Sequence, residues 1–237
     1  MLFGSVVKGG AIRGLSDLDV VLVLLDSVSD EQLKSLEAEL IKLTESHGIA
    51  TPESAAFKGI PGFVMREAGM FKSCFVCRER DLRSFDFSRV FGANLFLTKL
   101  IVPSSIVLGD VLSAARTVYG RDVVSSLRIP RPTRLDVLRS MLMNELLAAL
   151  AVFYYPFSEN ATKLAMEAVK WSVYNASYVL TGESKSLSES MHVLAGRGIS
   201  PAHFEELKEL RRGYRSTPSF TLSSLAVIAR IHMSLLS

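Results

Sequence analysis

The chain of 237 residues contains only two cysteines, one tryptophan and four histidines. Two cysteines cannot build a disulfide framework, and His47, His192 and His232 are too scattered to suggest a zinc cluster. Cys74 and Cys77 form a single C-x-x-C in an apolar, β-branched stretch, where side chains alternate and an i, i+3 pair points to opposite faces. Buried structural thiols are expected. Charge of one sign is equally scarce. The net charge is +3, from 17 Arg and 10 Lys against 24 acids, with no dense basic stripe, so nucleic acid is not indicated as a partner. The longest apolar run, Met141 to Phe157, is broken by Asn144 and Glu145 and closed by Pro156. It falls short of the ~20 clean residues of a spanning helix, and no membrane partner is expected. Met1 to Asp19 carries glycines and charges where a secretory signal has an apolar core, so a cytoplasmic location is expected. No internal repeat of about 20 to 50 residues is visible.

What the chain does have is a globular balance: 49% hydrophobic residues, 22% charged and a mean hydropathy of +0.29. At ~150 residues per domain, the length suits one large domain or two small ones. Val20 to Leu25 is a continuous run of β-formers, so residues 17–25 are predicted to form a buried strand. Ser29 or Asp30 then caps a helix with Leu33, Leu36, Leu40, Ile41 and Leu43 on one face, ending near His47. Residues 49–70 carry two prolines and three glycines and are predicted to be loop, with one hairpin arm at Phe63 to Arg66. Phe71 to Cys77 is a further strand. Strand, helix, strand points to an α/β core. After Asp86 the periodicity turns helical, and Ile129-Pro130-Arg131-Pro132 is the best linker. Helices are predicted over residues 135–155, 159–180, 187–194, 201–213 and 222–236. The expected architecture is therefore an α/β domain over 1–130 with a small mixed sheet, followed by an all-α bundle over 131–237.

Chemistry concentrates near the start. Gly4-Ser5 offers a turn where backbone can approach a phosphate closely and where helix N–H groups can hold an anion. After eleven intervening residues comes Asp17-Leu18-Asp19, running into the apolar strand. Residues i and i+2 of a strand share a face, so the two carboxylates point together and repel unless a divalent metal neutralises them. A surface aspartate pair at a strand end is the plain alternative.

Together, G-S, the eleven-residue spacing and D-x-D before a buried strand resemble the signature of the DNA polymerase β-like nucleotidyltransferases, notably the small prokaryotic members and the aminoglycoside nucleotidyltransferases. The motif covers residues 3–25, and the helical second half suits members that follow the catalytic domain with a bundle. The resemblance implies transfer of a nucleoside monophosphate from a nucleoside triphosphate, ATP being the natural choice, to a hydroxyl acceptor with release of pyrophosphate. It assigns Asp17 and Asp19 to two Mg²⁺ ions, and Gly4, Ser5 and, as a lesser candidate, Lys8 to the triphosphate.

The chain departs from the family pattern in two places. Members usually carry a helix and a full strand before the G-S element, so a missing first helix and part of a first strand are expected. They also place a third carboxylate on the strand after the helix, where this chain has Ser73; Glu67 is the substitute, with Glu53 and Glu79 behind it. A degenerate fold that binds nucleotide, RNA or protein without catalysis is the alternative function.

In the second half, Lys163, Glu167, Lys170, Tyr174 and Tyr178 share one helical face. This face is a solvated surface or an acceptor-binding wall; the resemblance makes Glu167 the general base of a site between the two domains. Trp171, among apolar neighbours, reads as core. Arg197 and His203 have the spacing of an RNase motif, but Gly198 and Pro201 between them oppose the helix it needs. Phe153, Tyr154, Tyr155 and Phe157 crowd a helix end, and a homodimer through the helical domain is expected.

Overall fold

The computed structural model describes residues 1–9, 18–47 and 73–236. Asp17, Glu53, Glu67 and the predicted hairpin arm lie outside them. Two compact units emerge, Met1–Leu100 with Val107–Pro130, and Ile101–Ile106 with Arg131–Ser237.

The first unit is built on a three-stranded sheet in the order β1-β2-β3. β1 (Leu2–Phe3) runs antiparallel to β2 (Asp19–Leu24), pairing Phe3 with Asp19, and β3 (Cys74–Arg78) runs parallel to β2, pairing Val20 with Cys74. The sheet is mixed, and β3 is buried at four of its five positions. The one-turn helix α1 (Gly4–Val7) leaves β1 directly, and α2 (Asp30–Ser46) crosses from β2 towards β3. The short helices α3 (Glu79–Arg83) and α4 (Phe87–Phe91) come next, then α5 (Leu95–Ile101) and α6 (Ser104–Ala114). Aromatic rings bind β1 to this framework. Phe3 lies 6.0 Å from Phe75 and 6.1 Å from Phe91, and Phe91 packs 4.7 Å from both Phe75 and Phe87.

Both cysteines are free and buried on β3. Burial pushes the Cys77 thiol up to about 12 and raises Cys74, with the negative charges of Asp19 and Glu37 adding to the effect. A thiolate is the reactive form. Native protein treated with a thiol reagent at neutral pH is therefore expected to leave Cys77 unlabelled, while both thiols react after denaturation; rapid native labelling of Cys77 would contradict its burial.

The second unit is helical: α7 (Arg134–Tyr154), α8 (Ala161–Thr181), α9 (Leu187–Ala195), α10 (Pro201–Arg212) and α11 (Pro218–Leu236). Capping boxes start α7 at Thr133 with Asp136 and α9 at Ser186 with Glu189, and Gly182 ends α8 in the left-handed conformation. The helix α8 is the centre, packed by α7, α9 and α11. By length and composition alone Arg134–Phe157 and Pro218–Leu236 are long and apolar enough to cross a membrane. Both nevertheless place polar groups against each other inside the bundle. His232 Nδ1 faces the Ile228 carbonyl at 3.0 Å, which accepts only, so Nδ1 carries the proton and Nε2 accepts from Ser140 Oγ at 2.9 Å. Asn175 Nδ2 donates to Ser140 Oγ at 2.9 Å, and Asn144 donates to the Ser140 carbonyl.

Candidate active site

The G-S element is held in place from several directions. Leu2 exchanges both backbone hydrogen bonds with Arg116, and Phe3 is fastened by the aromatic cluster. Gly4 comes next, with φ +74°. That left-handed backbone favours glycine, and space demands it as well: a Cβ there would fall inside the Asp19 Oδ2 atom and 2.8 Å from Asp19 Cγ. The Gly4 backbone and the Asp19 carboxylate are thus in contact, although fifteen residues of sequence separate them. Antiparallel pairing of Phe3 with Asp19 brings this about, because the chain turns into α1 at the point where β2 begins.

Lys8 closes α1 at its C-cap. Its Nζ lies 2.6 Å from Asp110 Oδ2, and the side chains are only 6% and 4% exposed. A phosphate-binding role for Lys8 therefore competes with a buried carboxylate of its own unit. No sequence signal marks Asp110, because it sits in an apolar helical stretch with no motif around it.

Ser73 stands beside Asp19 across the parallel ladder, where its carbonyl accepts from Val20 N at 2.7 Å. Its hydroxyl is buried without a hydrogen-bond partner among the described residues. Glu79 lies past the far end of β3, about 16 Å along a five-residue strand, and its carboxylate is bound by Arg83 and Arg121. It cannot supply the third carboxylate at the Asp19 end. Among the described residues no group of three His, Cys, Asp or Glu could hold a metal ion. Mg²⁺ needs only one or two carboxylates beside substrate phosphates, and Asp19 is a ligand of that chemical type.

In the second unit, Lys163, Glu167, Lys170 and Tyr174 are half-buried along α8, while Tyr178 is buried. Glu167 forms an ion pair with Lys170 at 2.6 Å, and Lys163 lies 5.0 Å over the Tyr214 ring. The face carries i, i+3 pairing of Lys170 with Glu167 and a cation–π contact. Arg197 and His203 fall on different elements, the turn after α9 and the start of α10, with Gly198 at φ +79° between them.

No protein-family model matches the chain, and no curated protein matches it by sequence. In structure it is similar to the spectinomycin adenyltransferase AAD(9) from Enterococcus faecialis, crystallised with ATP and spectinomycin, at a TM-score of 0.54 and 13% identity, over 100% of this chain and 90% of that one. The likeness extends over the whole of this chain and is one of fold.

Proposed function

We propose that the protein is a metal-dependent nucleotidyltransferase that moves a nucleoside monophosphate from a triphosphate, ATP in the first instance, to a hydroxyl acceptor. The observation that carries this reading is the contact of the Gly4 backbone with the Asp19 carboxylate. It places a metal-type ligand directly against a glycine backbone, and the resemblance of fold to an adenyltransferase agrees with it. Asp19, with Asp17 beside it in sequence, would hold Mg²⁺, which when bound neutralises charge developing on the transferring phosphoryl group. Gly4 and the Ser5 hydroxyl would bind the β- and γ-phosphates. The acceptor oxygen forms its bond to the α-phosphorus as the bond to the departing pyrophosphate breaks, and the hydroxyl proton goes to a carboxylate acting as general base.

Titration calorimetry with ATP and Mg²⁺ tests the reading. Binding is expected to require the metal and to weaken at least tenfold, about 1.4 kcal/mol, in Asp17→Asn/Asp19→Asn. Gly4→Ala is expected to weaken it by about as much, since its Cβ displaces Asp19. Absence of binding, or binding indifferent to all three changes, sinks the proposal.

Ser73 favours a second reading. A hydroxyl at the position of the third carboxylate suits a domain that binds nucleotide and does not turn it over. Metal-dependent ATP binding with no release of pyrophosphate, across a panel of aminoglycoside, RNA and protein acceptors, would select it.

A further inference from the structure

An amphipathic bundle helix normally turns a polar face outward. The helix α7 does not. Its inward positions Val137, Ser140, Asn144, Leu147, Ala148 and Ala151 are buried. Its outward positions are apolar too: Leu135, Leu138, Leu142 and Leu146 are between 43% and 57% exposed, and Phe153 is 71% exposed. At 100° per residue these five fall on one stripe, and the charged residues Asp136, Arg139 and Glu145 lie off it. The stripe continues into the next turn, where Phe157 is 72% exposed and its ring lies 6.3 Å from that of Phe153. Together these side chains expose roughly 600 Å² of apolar surface, the upper end of what a monomer leaves open.

We infer that this face of α7 is the contact surface for a second copy of the chain, paired antiparallel about a two-fold axis. Two observations choose that occupant. The first is self-complementarity. A two-fold point opposite Asn144 sets Leu142 of one copy against Leu146 of the other and, in the same register, Leu135 against Phe153. One alignment thereby matches four of the five stripe residues of each copy to one another. The second is area. Two such faces remove about 1,200 Å² from water, which reaches the threshold for a specific stable interface. The inference goes beyond nucleotidyl transfer and does not rest on it.

The register has a further consequence. Glu145 flanks the stripe one residue from the two-fold point, and antiparallel packing brings like flanks together. The two Glu145 carboxylates therefore face each other across the axis, and removing their charge tightens the dimer.

Sedimentation velocity of the full chain from low to high micromolar concentration tests this directly. The expected result is a reversible shift from 26.0 kDa to twice that mass, abolished in Leu142→Glu/Leu146→Glu, with far-UV circular dichroism unchanged, and moved several-fold to lower concentration in Glu145→Gln. If the double glutamate variant does not fold, Leu142→Cys/Leu146→Cys decides instead. Under mild oxidation it is expected to form a disulfide-linked dimer, which Tyr119→Cys, 94% exposed in the other unit, does not. A monomer throughout the range overturns the proposal, as does a dimer that survives the glutamates or lacks the cysteine cross-link. A monomer that instead floats with phosphatidylcholine–phosphatidylglycerol vesicles overturns it in favour of a lipid surface. A dimer unaffected by Glu145→Gln overturns the antiparallel register.

Discussion

Asp110→Ala is expected to lower the unfolding free energy by about 3 to 5 kcal/mol, the usual cost of removing one partner of a buried ion pair. Lys8 and Asp110 are nearly inaccessible and 2.6 Å apart, so water cannot replace the lost carboxylate without opening the structure. The defect falls on α1, because Lys8 is the residue that ends that turn. Replacing both partners with apolar groups, Lys8→Met/Asp110→Leu, is expected to recover much of the loss, since no charge is then left in a low-dielectric site. Urea unfolding monitored by far-UV circular dichroism measures both. A cost below about 1 kcal/mol for Asp110→Ala would place the pair among solvent-relaxed surface bridges instead. Nucleotide binding by the double variant adds a second comparison. Retained binding would show that the pair fastens the turn and that Lys8 does not contact phosphate.

Acid should weaken the helical unit through one histidine. His232 is fully buried, and burial lowers its pKa from 6.5 to about 4, against a partial upward effect of the Ile228 carbonyl. Its only ring acceptor takes the Ser140 proton, so protonating Nε2 ends that donation and forces the Ser140 hydroxyl to become the acceptor. The unfolded chain binds the proton first, near pH 6.5. Stability conferred by the neutral ring is therefore complete above that pH, declines as pH falls towards about 4 and is absent below. The difference is about 3 kcal/mol. Trp171 is the sole tryptophan and lies in α8, so its fluorescence reports on this unit. Carboxylates such as Asp136, held low by contacts with Thr133, add their own acid loss at lower pH. The measured quantity is thus the wild-type slope between pH 7 and about 4 minus that of His232→Gln. Equal slopes in the two proteins would refute the assignment.

The regular elements were largely legible because their signals are local. The apolar run after Asp19 became β2, the leucine spacing after Asp30 became α2, and Thr133 and Ser186 with their acidic N3 partners mark the starts of α7 and α9. Half of the active-site reading was local as well. Gly4-Ser5 and Asp19 carry chemistry in their residue types alone. Tyr178 shows the limit. It shares a helical face with Lys163 and Glu167, yet it is buried where Ile106 and Val137 pack, since a face is wet only where no neighbouring helix covers it.

By itself the sequence determined the order of the longer elements, the division into an α/β half and a helical half, and where phosphate- and metal-type side chains lie along the chain. Periodicity, capping and side-chain chemistry act over a few residues and survive without tertiary context. Only the tertiary structure decided that Gly4 touches Asp19, that Lys8 is bound by Asp110, that Ser73 occupies the strand position beside Asp19, and that the leucines of α7 face outward. Each of these depends on strand register or helix rotation. Both are set by the sum of many weak packing contacts between segments far apart in the chain, and no local pattern records that sum.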